Sequence, residues 1–371
     1  MSTQPPEGSS PGSQPNPQQP VTPQAVPDYR GYPPPGPAPR RRPRWGLWIL
    51  LLLFLSGVVV LFGGLAVGVA SLAALASIEP PKNLREEHVS HNEDAFDKIA
   101  ILQVEGLISE YDGFVKKQID QIRDDNDVKA VVLRINSPGG TVAASDYLYH
   151  HMKEMARQRE LPVVVSMGAI AASGGYYTAM AVGDTPQSIF AEPATWTGSI
   201  GVIIPHYNLH EMLDRWGIEN DSIASGPLKD MGNLSKPMTE EEREVFRGLV
   251  DASFERFKEV IREGRPKLRA NPEKLDAVAT GQVFTAGQAV DNGLVDQLGF
   301  REDAVERAIE LAGLNPARVN VIRYKQQPTL ASLLMEAQAS PPRLDPSRLL
   351  DLASPQAFYL YTWTPGLLDP R

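Results

Sequence analysis

The sequence predicts a mostly parallel α/β domain between about Asp97 and Tyr324, delimited here as residues 98–325. Runs such as LPVVVS at 161–166 have the β-branched composition of strands that are buried on both faces of a sheet. Segments with helical spacing of apolar residues alternate with these runs, as in βαβ units. The chain has 371 residues, 42% of them hydrophobic, which is enough for a substantial core.

The residues before this domain fall into three segments. Residues 1–44 are rich in Pro, Gly, Gln and Ser and are predicted to be disordered, because they contain too little apolar surface to offset the entropy of ordering. Residues 45–78 form an uncharged apolar run that exceeds the roughly 20 residues needed to span a bilayer. Residues 79–97 are polar and charged and are predicted to be a linker.

The apolar run at 45–78 is predicted to be a retained transmembrane anchor. Arginines at 40–42 and 44 precede it, which predicts a cytoplasmic N-terminus, with everything after Ile78 on the other side of the inner or plasma membrane. A cleaved signal peptide is the alternative, and the alanine-rich end of the run permits it. The length of the run favours the single-pass anchor.

Within the domain, the pattern of apolar residues gives the elements in order. Strands are predicted at 98–108, 128–135, 161–166, 188–191, 200–204 and 319–324. Helices are predicted at 111–125, 142–159, 174–182, 208–216, 240–262 and 302–311, with Thr239 as the N-cap of the fifth. A turn, a short helix and a strand are expected within 278–298. The remaining residues, 326–371, read as a proline-rich tail with one helix at 330–337.

Composition excludes several classes of function. The chain has no cysteine, so it has no disulfide, thiolate metal site or cysteine nucleophile. Its net charge of −9 argues against a nucleic-acid partner. His206 and His210 have the spacing of a metal-binding pair, but no nearby glutamate completes a zinc-protease pattern, so no metal is expected. A Ser-His-Asp triad that uses His206 stays open, although no spacing supports it.

Ser173 is the candidate nucleophile. It follows the strand at 161–166 and a short turn, and it immediately precedes the apolar helix at 174–182. The amides and dipole at the start of a helix favour the negative charge that builds up during nucleophilic attack. The small residues beside Ser173 leave its hydroxyl accessible, although they are equally compatible with tight packing of a buried helix on a sheet.

Lys229 and a pair of glycines are the candidate partners of Ser173. A lysine becomes a general base near neutral pH when the loss of solvent lowers its pKa. Lys229 lies between Leu228 and Met231 in a turn-rich loop that could bury the amine; an exposed loop lysine is the simpler alternative. Gly139 and Gly140 follow a buried strand and could supply amides to an oxyanion, or form an ordinary strand-to-helix turn.

Taken together, these segments closely resemble the signal peptide peptidase A family of membrane-anchored Ser-Lys proteases. The resemblance covers roughly residues 98–315 and depends on the ordered motifs NSPGG at 136–140, SMGAIAASGGYY at 166–177, TWTGSIGVI at 195–203 and SGPLKD at 225–230. It implies Ser173 as nucleophile, Lys229 as general base, Gly139 and Gly140 in the oxyanion hole, and Ser199 as the residue that orients the lysine.

The family further implies a crotonase- and caseinolytic-protease-like fold of repeated βαβ units, no cofactor, and homo-oligomers in which neighbouring subunits complete the sites. The chain holds one such domain and therefore supplies both Ser173 and Lys229. The implied function is an anchored serine endopeptidase, with its catalytic domain outside the cytoplasm, that degrades hydrophobic peptides such as remnant signal peptides.

Three alternatives remain open. One is a related Ser-Lys protease that cleaves a specific membrane protein. Another is an acyl-CoA hydratase of the same broad fold, which would need glutamates on the active-site turns. The third is an anchored scaffold without activity, and the intact set of Ser173, Lys229 and Ser199 argues against it.

Overall fold

The chain divides into two compact units, Met1–Ala70 and Ser71–Arg371. The structure, a computed structural model, describes residues 49, 51–58, 60–63, 84–326 and 357–360, and those of the first unit are helical. Within the part of the chain that is described, no helix is both long and apolar enough to cross a membrane. Most of the predicted anchor at 45–78 lies outside the described residues, as do the predicted tail at 1–44 and the predicted helix at 330–337.

A mixed β-sheet organises the second unit. Its strands are β1 (Arg85–His91), β2 (Asp97–Ile108), β3 (Val128–Thr141), β4 (Val163–Ala172), β5 (Ile189–Ala191), β6 (Trp196–Gly198), β7 (Val283–Thr285), β8 (Gln297–Leu298), β9 (Val319–Lys325) and β10 (Phe358–Leu360). The main order is β1-β9-β2-β3-β4-β5-β8, with β10 paired to β3 and β6 paired to β4 and β7. Neighbours from β9 to β8 are parallel, and β1, β7 and β10 pair antiparallel.

Helices cover both faces of this sheet. They are α1 (Phe114–Asp124), α2 (Val142–Arg159), α3 (Gly174–Ala179), α4 (His210–Arg215), α5 (Glu240–Gly264), α6 (Pro266–Arg269), α7 (Pro272–Val278), α8 (Ala286–Asp291) and α9 (Arg301–Leu311). One face packs against α9 and the opposite face against α1, α2 and α3, with α5 behind α3. This two-sided burial explains the nearly continuous apolar runs of the central strands.

Successive side chains of β2 point to opposite faces of the sheet. Ile99 and Ile101 belong to the core cluster that includes the apolar residues of α9. Ala100, Leu102 and Val104 belong to the larger cluster on the opposite face. Successive strand residues therefore fill two different cores, as the pleat requires.

Several predicted elements are confirmed, and some are different. The predicted N-cap Thr239 begins α5 with a reciprocal capping box, in which its hydroxyl accepts from the Glu242 amide at 3.2 Å. Residues 85–91, predicted as linker, form β1 instead. The strand predicted at 200–204 is wrong: β6 ends before it, at Gly198, and within 200–204 Ile203 forms only an isolated bridge, to Phe358.

The strands that lead to the site are longer than predicted. β3 continues through Gly139 and Gly140 to Thr141, and β4 continues to Ala172. Parallel pairing of Ser137 with Ala171 carries both strands beyond their β-branched runs. Register with a neighbouring strand, rather than local propensity, therefore determines where these strands end.

Candidate active site

Ser173 lies at the sharp junction between β4 and α3. Its backbone has φ 54° and ψ −115°, a region that non-glycine residues rarely adopt. The Ser173 amide donates to the Gly198 carbonyl at 2.8 Å, and the Ser173 carbonyl accepts from the Tyr177 amide at 2.8 Å. Such backbone strain costs on the order of 1–3 kcal/mol and persists only where the surrounding structure enforces it.

The hydroxyl of Ser173 is the unusual feature of this junction. The residue is 1% exposed, and its Oγ has no hydrogen-bond partner among the described residues. Buried hydroxyl groups are nearly always hydrogen-bonded, because leaving one unpaired costs about 1–3 kcal/mol. A sharp, strained turn between a strand and a helix is also the position of the nucleophilic serine in α/β-hydrolases.

Gly139 and Gly140 of β3 lie directly against this junction. A Cβ on Gly139, whose φ is +109°, would be 2.8 Å from the Gly174 nitrogen and 3.1 Å from the Ser173 Cβ. A Cβ on Gly140 would be 1.8 Å from the Ile108 carbonyl oxygen. Neither position has room for a side chain. Glycine at both positions therefore lets the backbone of β3 lie close to the Ser173 junction and to Ile108 of β2.

The amide of Gly139 has a partner within the strand. It donates to the Ser137 hydroxyl at 3.1 Å. This bond occupies the Gly139 amide. An oxyanion at Gly139 would have to share or replace it.

Ser199 lies next to the Ser173 junction through the pairing of β6 with β4. Ala172 is opposite Gly198 in that parallel pair. Ser199 is 6% exposed, has φ 50°, and donates its amide to the Gln282 carbonyl at 2.7 Å. The fold therefore brings Ser173, Ser199 and the two glycines together.

Lys229 makes no hydrogen bond to the Ser173 hydroxyl within the described chain. It is exposed in a turn-rich segment, where its amide donates to the Gly226 carbonyl at 3.1 Å. No ion pair among the described residues includes Lys229. The Ser173 hydroxyl has no hydrogen-bond partner within the described chain, so Lys229 is not bonded to it there.

The second lysine of this segment has a different environment. Lys236 donates to Asp230 at 2.8 Å and to Glu242 at 2.7 Å. The hydrogen bond to Asp230, followed by the one to Glu242, raises the pKa of Lys236. Lys236 is therefore held protonated and is unsuited to accept a proton from a serine.

The histidine alternatives gain no support from the geometry. His210 contacts the Ser235 carbonyl at 3.1 Å and lies 3.6 Å from Asp214. The buried Nε2 of His206 has no hydrogen-bond partner in the described part of the chain, so it does not hydrogen-bond to Ser173. Residues 84–326 and the other described positions contain no group of three or more His, Cys, Asp or Glu side chains suited to a metal ion.

A strand from the predicted C-terminal tail lies beside the site, and sequence reasoning missed it. Residues 358–360 form β10, antiparallel to Gly139, Gly140 and Thr141. On its other side, Phe358 exchanges two backbone hydrogen bonds with Ile203, of 2.9 and 3.0 Å. The aromatic run FYLYTW at 358–363 has strand-forming composition, which was the available signal.

Comparison with known proteins gives a consistent result. Residues 155–315 match the family model described as peptidase family S49. The chain is 34% identical over 301 residues to a protein of Enterococcus faecium that carries the name signal peptide peptidase SppA, covering 75% of this chain and 82% of that protein. It is 38% identical over 226 residues to a protein of Synechocystis sp. named as a protease, covering 60% and 78% respectively.

A longer relative shares only part of its length. The chain is 37% identical over 221 residues to Protease 4 of Salmonella typhi, covering 59% of this chain and 34% of that protein. The chain therefore spans about a third of that relative. The family match at 155–315 contains Ser173, Ser199 and Lys229.

Proposed function

The chain belongs to peptidase family S49, the family of the signal peptide peptidase A proteins, and on that premise we propose that it is a serine endopeptidase with Ser173 as nucleophile and Lys229 as general base. The observation that carries the proposal is the buried, unpaired hydroxyl of Ser173 on a strained strand-to-helix turn. A structural serine would satisfy its hydroxyl or adopt a relaxed backbone.

The proposed mechanism uses the chain's own groups. Neutral Lys229 takes the proton of Ser173 as Oγ forms a bond to the substrate carbonyl carbon. Amides at Gly139 and Gly140 stabilise the oxyanion. The protonated lysine then transfers its proton to the leaving amine as the peptide C–N bond breaks. Water, deprotonated by the same lysine, hydrolyses the acyl-enzyme and restores the Ser173 hydroxyl.

The ion pairs of Lys236 support the choice of Lys229 as the general base. Lys236 is clamped by two carboxylates, whereas Lys229 has no ion pair among the described residues. A lysine accepts a proton near neutral pH only after it is withdrawn from solvent. Because Lys229 is exposed in the single chain, we infer that its loop closes over a site when a neighbouring subunit packs against it.

Ser199 is proposed to orient the incoming lysine. Its left-handed backbone and its position beside the Ser173 junction support this role. The crotonase- and caseinolytic-protease-like fold of repeated βαβ units is part of the same proposal. Its support is the parallel order of the strands from β9 to β5, with helices on both faces.

The substrates are proposed to be hydrophobic peptides, including remnant signal peptides released from a membrane. The name of the Enterococcus faecium relative supports this class. An anchor at 45–78, with the catalytic domain outside the cytoplasm, would bring the site to such peptides. A dedicated protease with one membrane-protein target is the alternative, and it predicts no cleavage of unrelated apolar peptides.

The experiment is hydrolysis of a quenched fluorescent apolar peptide by the purified full chain. Ser173→Ala and Lys229→Ala should each lower turnover on the order of 10⁴-fold, because nucleophile and base act as a unit. Lys267→Ala, at an exposed position on α6, is the matched lysine control and should retain wild-type turnover. Full activity in Lys229→Ala would refute the proposed dyad.

A further inference from the structure

A cavity of about 260 Å³ opens beside the carboxyl end of β2. Its floor is apolar and is built from side chains of β2, α1 and α2, namely Val104, Ile108, Phe114, Val115 and Leu148. Three of these side chains are buried in the larger core cluster and the other two pack against it, so the floor is fixed by packing. The volume suits one long side chain, because pockets for drug-sized ligands are roughly 300–1,000 Å³.

The rim of this cavity carries two carboxylates. Glu105 and Glu110 line it, both are exposed, and neither belongs to an ion pair among the described residues. Glu105 accepts one hydrogen bond, from the Gln103 amide group at 3.3 Å. No lysine, arginine or histidine lines the cavity. An apolar floor that ends at two unpaired carboxylates is complementary to the aliphatic stem and the cationic head of a lysine or arginine side chain.

A β-bulge shapes the rim at Glu105. The register between β2 and β3 shifts between Glu105 and Leu107, and the intervening Gly106 has a φ of +70°, which glycine adopts without steric cost. Leu107 is 43% exposed and lines the same cavity. Bulges next to active sites re-aim side chains, and this one lies beside the Gly139–Gly140 segment.

The second carboxylate lies at the start of α1. A Cβ on Gly113, the N-cap of that helix, would collide with the Glu110 carboxylate, so the side chain folds back over the helix end. The first turn of α1 has no acidic residue, and Gly113 supplies no side-chain cap. The positive end of the helix dipole therefore favours the Glu110 carboxylate at the mouth of the cavity.

The cavity is close to the proposed nucleophile. Leu107 and Ile108 pair with Gly139 and Gly140 in the parallel ladder, and a Cβ on Gly139 would be 3.1 Å from the Ser173 Cβ. Neighbouring strands are about 4.8 Å apart, and an extended peptide advances about 3.3 Å per residue. A peptide held at Ser173 therefore reaches the cavity within about three to six residues.

We propose that this cavity is a subsite for a basic side chain, and that the enzyme prefers apolar peptides with a lysine or arginine about three to six residues from the cleaved bond. The stem of that side chain lies on the apolar floor, and its cationic head meets Glu105 and Glu110. A signal peptide has this composition, with a positively charged segment next to its apolar core. The inference rests on the proposed function and narrows its substrate class.

The chemistry of the cavity predicts an order of preference. Methionine covers the same apolar floor without a charge, and glutamate is repelled by the two carboxylates. A partly exposed charge pair is worth a factor of about three to five in binding, so a lysine peptide should exceed a methionine peptide by that factor in kcat/KM. The difference should appear in KM, because the contact is the same in the ground state and the transition state.

The test moves one residue along an apolar quenched fluorescent peptide. The peptides carry Lys, Met or Glu at one position, which is placed in turn three, four, five or six residues from the cleaved bond on either side. The purified full chain is assayed at low ionic strength, where charge pairs are least screened. We expect at least one position at which kcat/KM falls in the order Lys, Met, Glu. If no position favours Lys over Met, the proposal is overturned.

Paired substitutions test whether the cavity is the source of this preference. In Glu105→Gln/Glu110→Gln, the lysine peptide should lose its advantage, while the methionine peptide keeps its wild-type kcat/KM because the amides preserve the shape of the rim. Glu93→Gln/Glu273→Gln, which changes two exposed carboxylates that have no ion pair among the described residues, is the matched control and should keep the preference. A lysine preference that survives in the Glu105/Glu110 variant would refute the subsite.

The variant Ser173→Ala separates the subsite from the proposed function. If the wild type and Ser173→Ala do not differ on any peptide, the proposed function fails. If the wild type cleaves the three kinds of peptide alike and Ser173→Ala cleaves none, only the subsite fails. Binding of labelled lysine and methionine peptides to Ser173→Ala, measured by fluorescence anisotropy, should show the same ratio in Kd, and equal Kd values would contradict the subsite.

Discussion

The Ser173 junction and the Lys229 loop are built in opposite ways. Ser173 is 1% exposed, and hydrogen bonds to Gly198 and Tyr177 fix its backbone in a strained conformation. Lys229 is exposed, lies between elements, and has no ion pair among the described residues. The fold of a single chain therefore prepares the proposed nucleophile but not the proposed base. The proposal that a neighbouring subunit completes the site follows from this difference.

Mixing two inactive variants tests this difference most severely. If the lysine comes from a neighbouring subunit, Ser173→Ala and Lys229→Ala co-assembled from an unfolded mixture should recover about a quarter of wild-type turnover, the share of sites that unite two intact residues. Each variant refolded alone is the control. A mixture as inactive as its components would instead favour a base from the same chain.

Gly140→Ala tests the close packing around the proposed nucleophile Ser173. Its Cβ would be 1.8 Å from the Ile108 carbonyl oxygen, so β2 and β3 must separate beside Ser173. We expect turnover to fall on the order of a hundredfold, because small displacements of reacting groups have effects of that size. Gly248→Ala, in the open on α5, is the matched control and should leave turnover unchanged and stabilise the helix by up to about 1 kcal/mol.

Ser173→Gly tests whether the junction is strained for function. Glycine adopts the observed φ of 54° without steric cost. The free energy of unfolding of Ser173→Gly should therefore exceed that of Ser173→Ala by about 1–2 kcal/mol, and Ser173→Gly should unfold at a higher urea concentration. Both variants should be inactive. Equal stability of the two in urea unfolding would mean that the junction carries no strain.

The ion pairs of Lys236 with Asp230 and Glu242, beside the proposed base Lys229, should have the smallest effect on turnover. Lys236→Met removes the link from the loop to Glu242, and turnover should fall roughly two- to fivefold because Lys229 is held less well. Lys267→Met is the control. Unchanged turnover in Lys236→Met would show that the loop needs no such anchor.

This cluster also predicts a pH dependence. The hydrogen bond from Lys236, and then the Thr239 amide, lower the pKa of Glu242. The stability that Glu242 contributes is therefore present above its unfolded pKa of about 4.3 and is lost as pH falls through the lower folded value. The melting temperature of the wild type should fall more steeply below about pH 4 than that of Lys236→Met. Parallel curves would contradict the assignment.

The sequence predicted those parts of the molecule that local pattern determines. The long amphipathic helices and the β-branched runs at 128–135 and 161–166 have strong periodicity, and the structure has helices and strands there. The order of strand, Ser173 and helix was also visible, because small residues flank the serine. Sequence motifs alone indicated that Gly139, Gly140 and Ser199 are near it.

Contacts between distant segments could not be predicted in this way. β10 pairs with β3 across more than two hundred residues of chain, and β1 pairs with β9 across a similar span. The polar composition of 79–97 and the prolines of the tail outweighed the short strand signals within them. The exposure of Lys229 agrees with the simpler of the two alternatives that the sequence left open, an exposed loop lysine, and not with a loop that buries the amine beside Leu228 and Met231.

Labelling with a fluorophosphonate probe tests the central claim most directly, because it reports on the Ser173 hydroxyl without requiring a known substrate. The purified full chain is treated with the probe, and the modified residue is located by mass spectrometry. We predict one label per chain, on Ser173, absent from Ser173→Ala and much slower in Lys229→Ala. A chain that hydrolyses peptides while Ser173 stays unlabelled and another residue carries the probe would contradict the account.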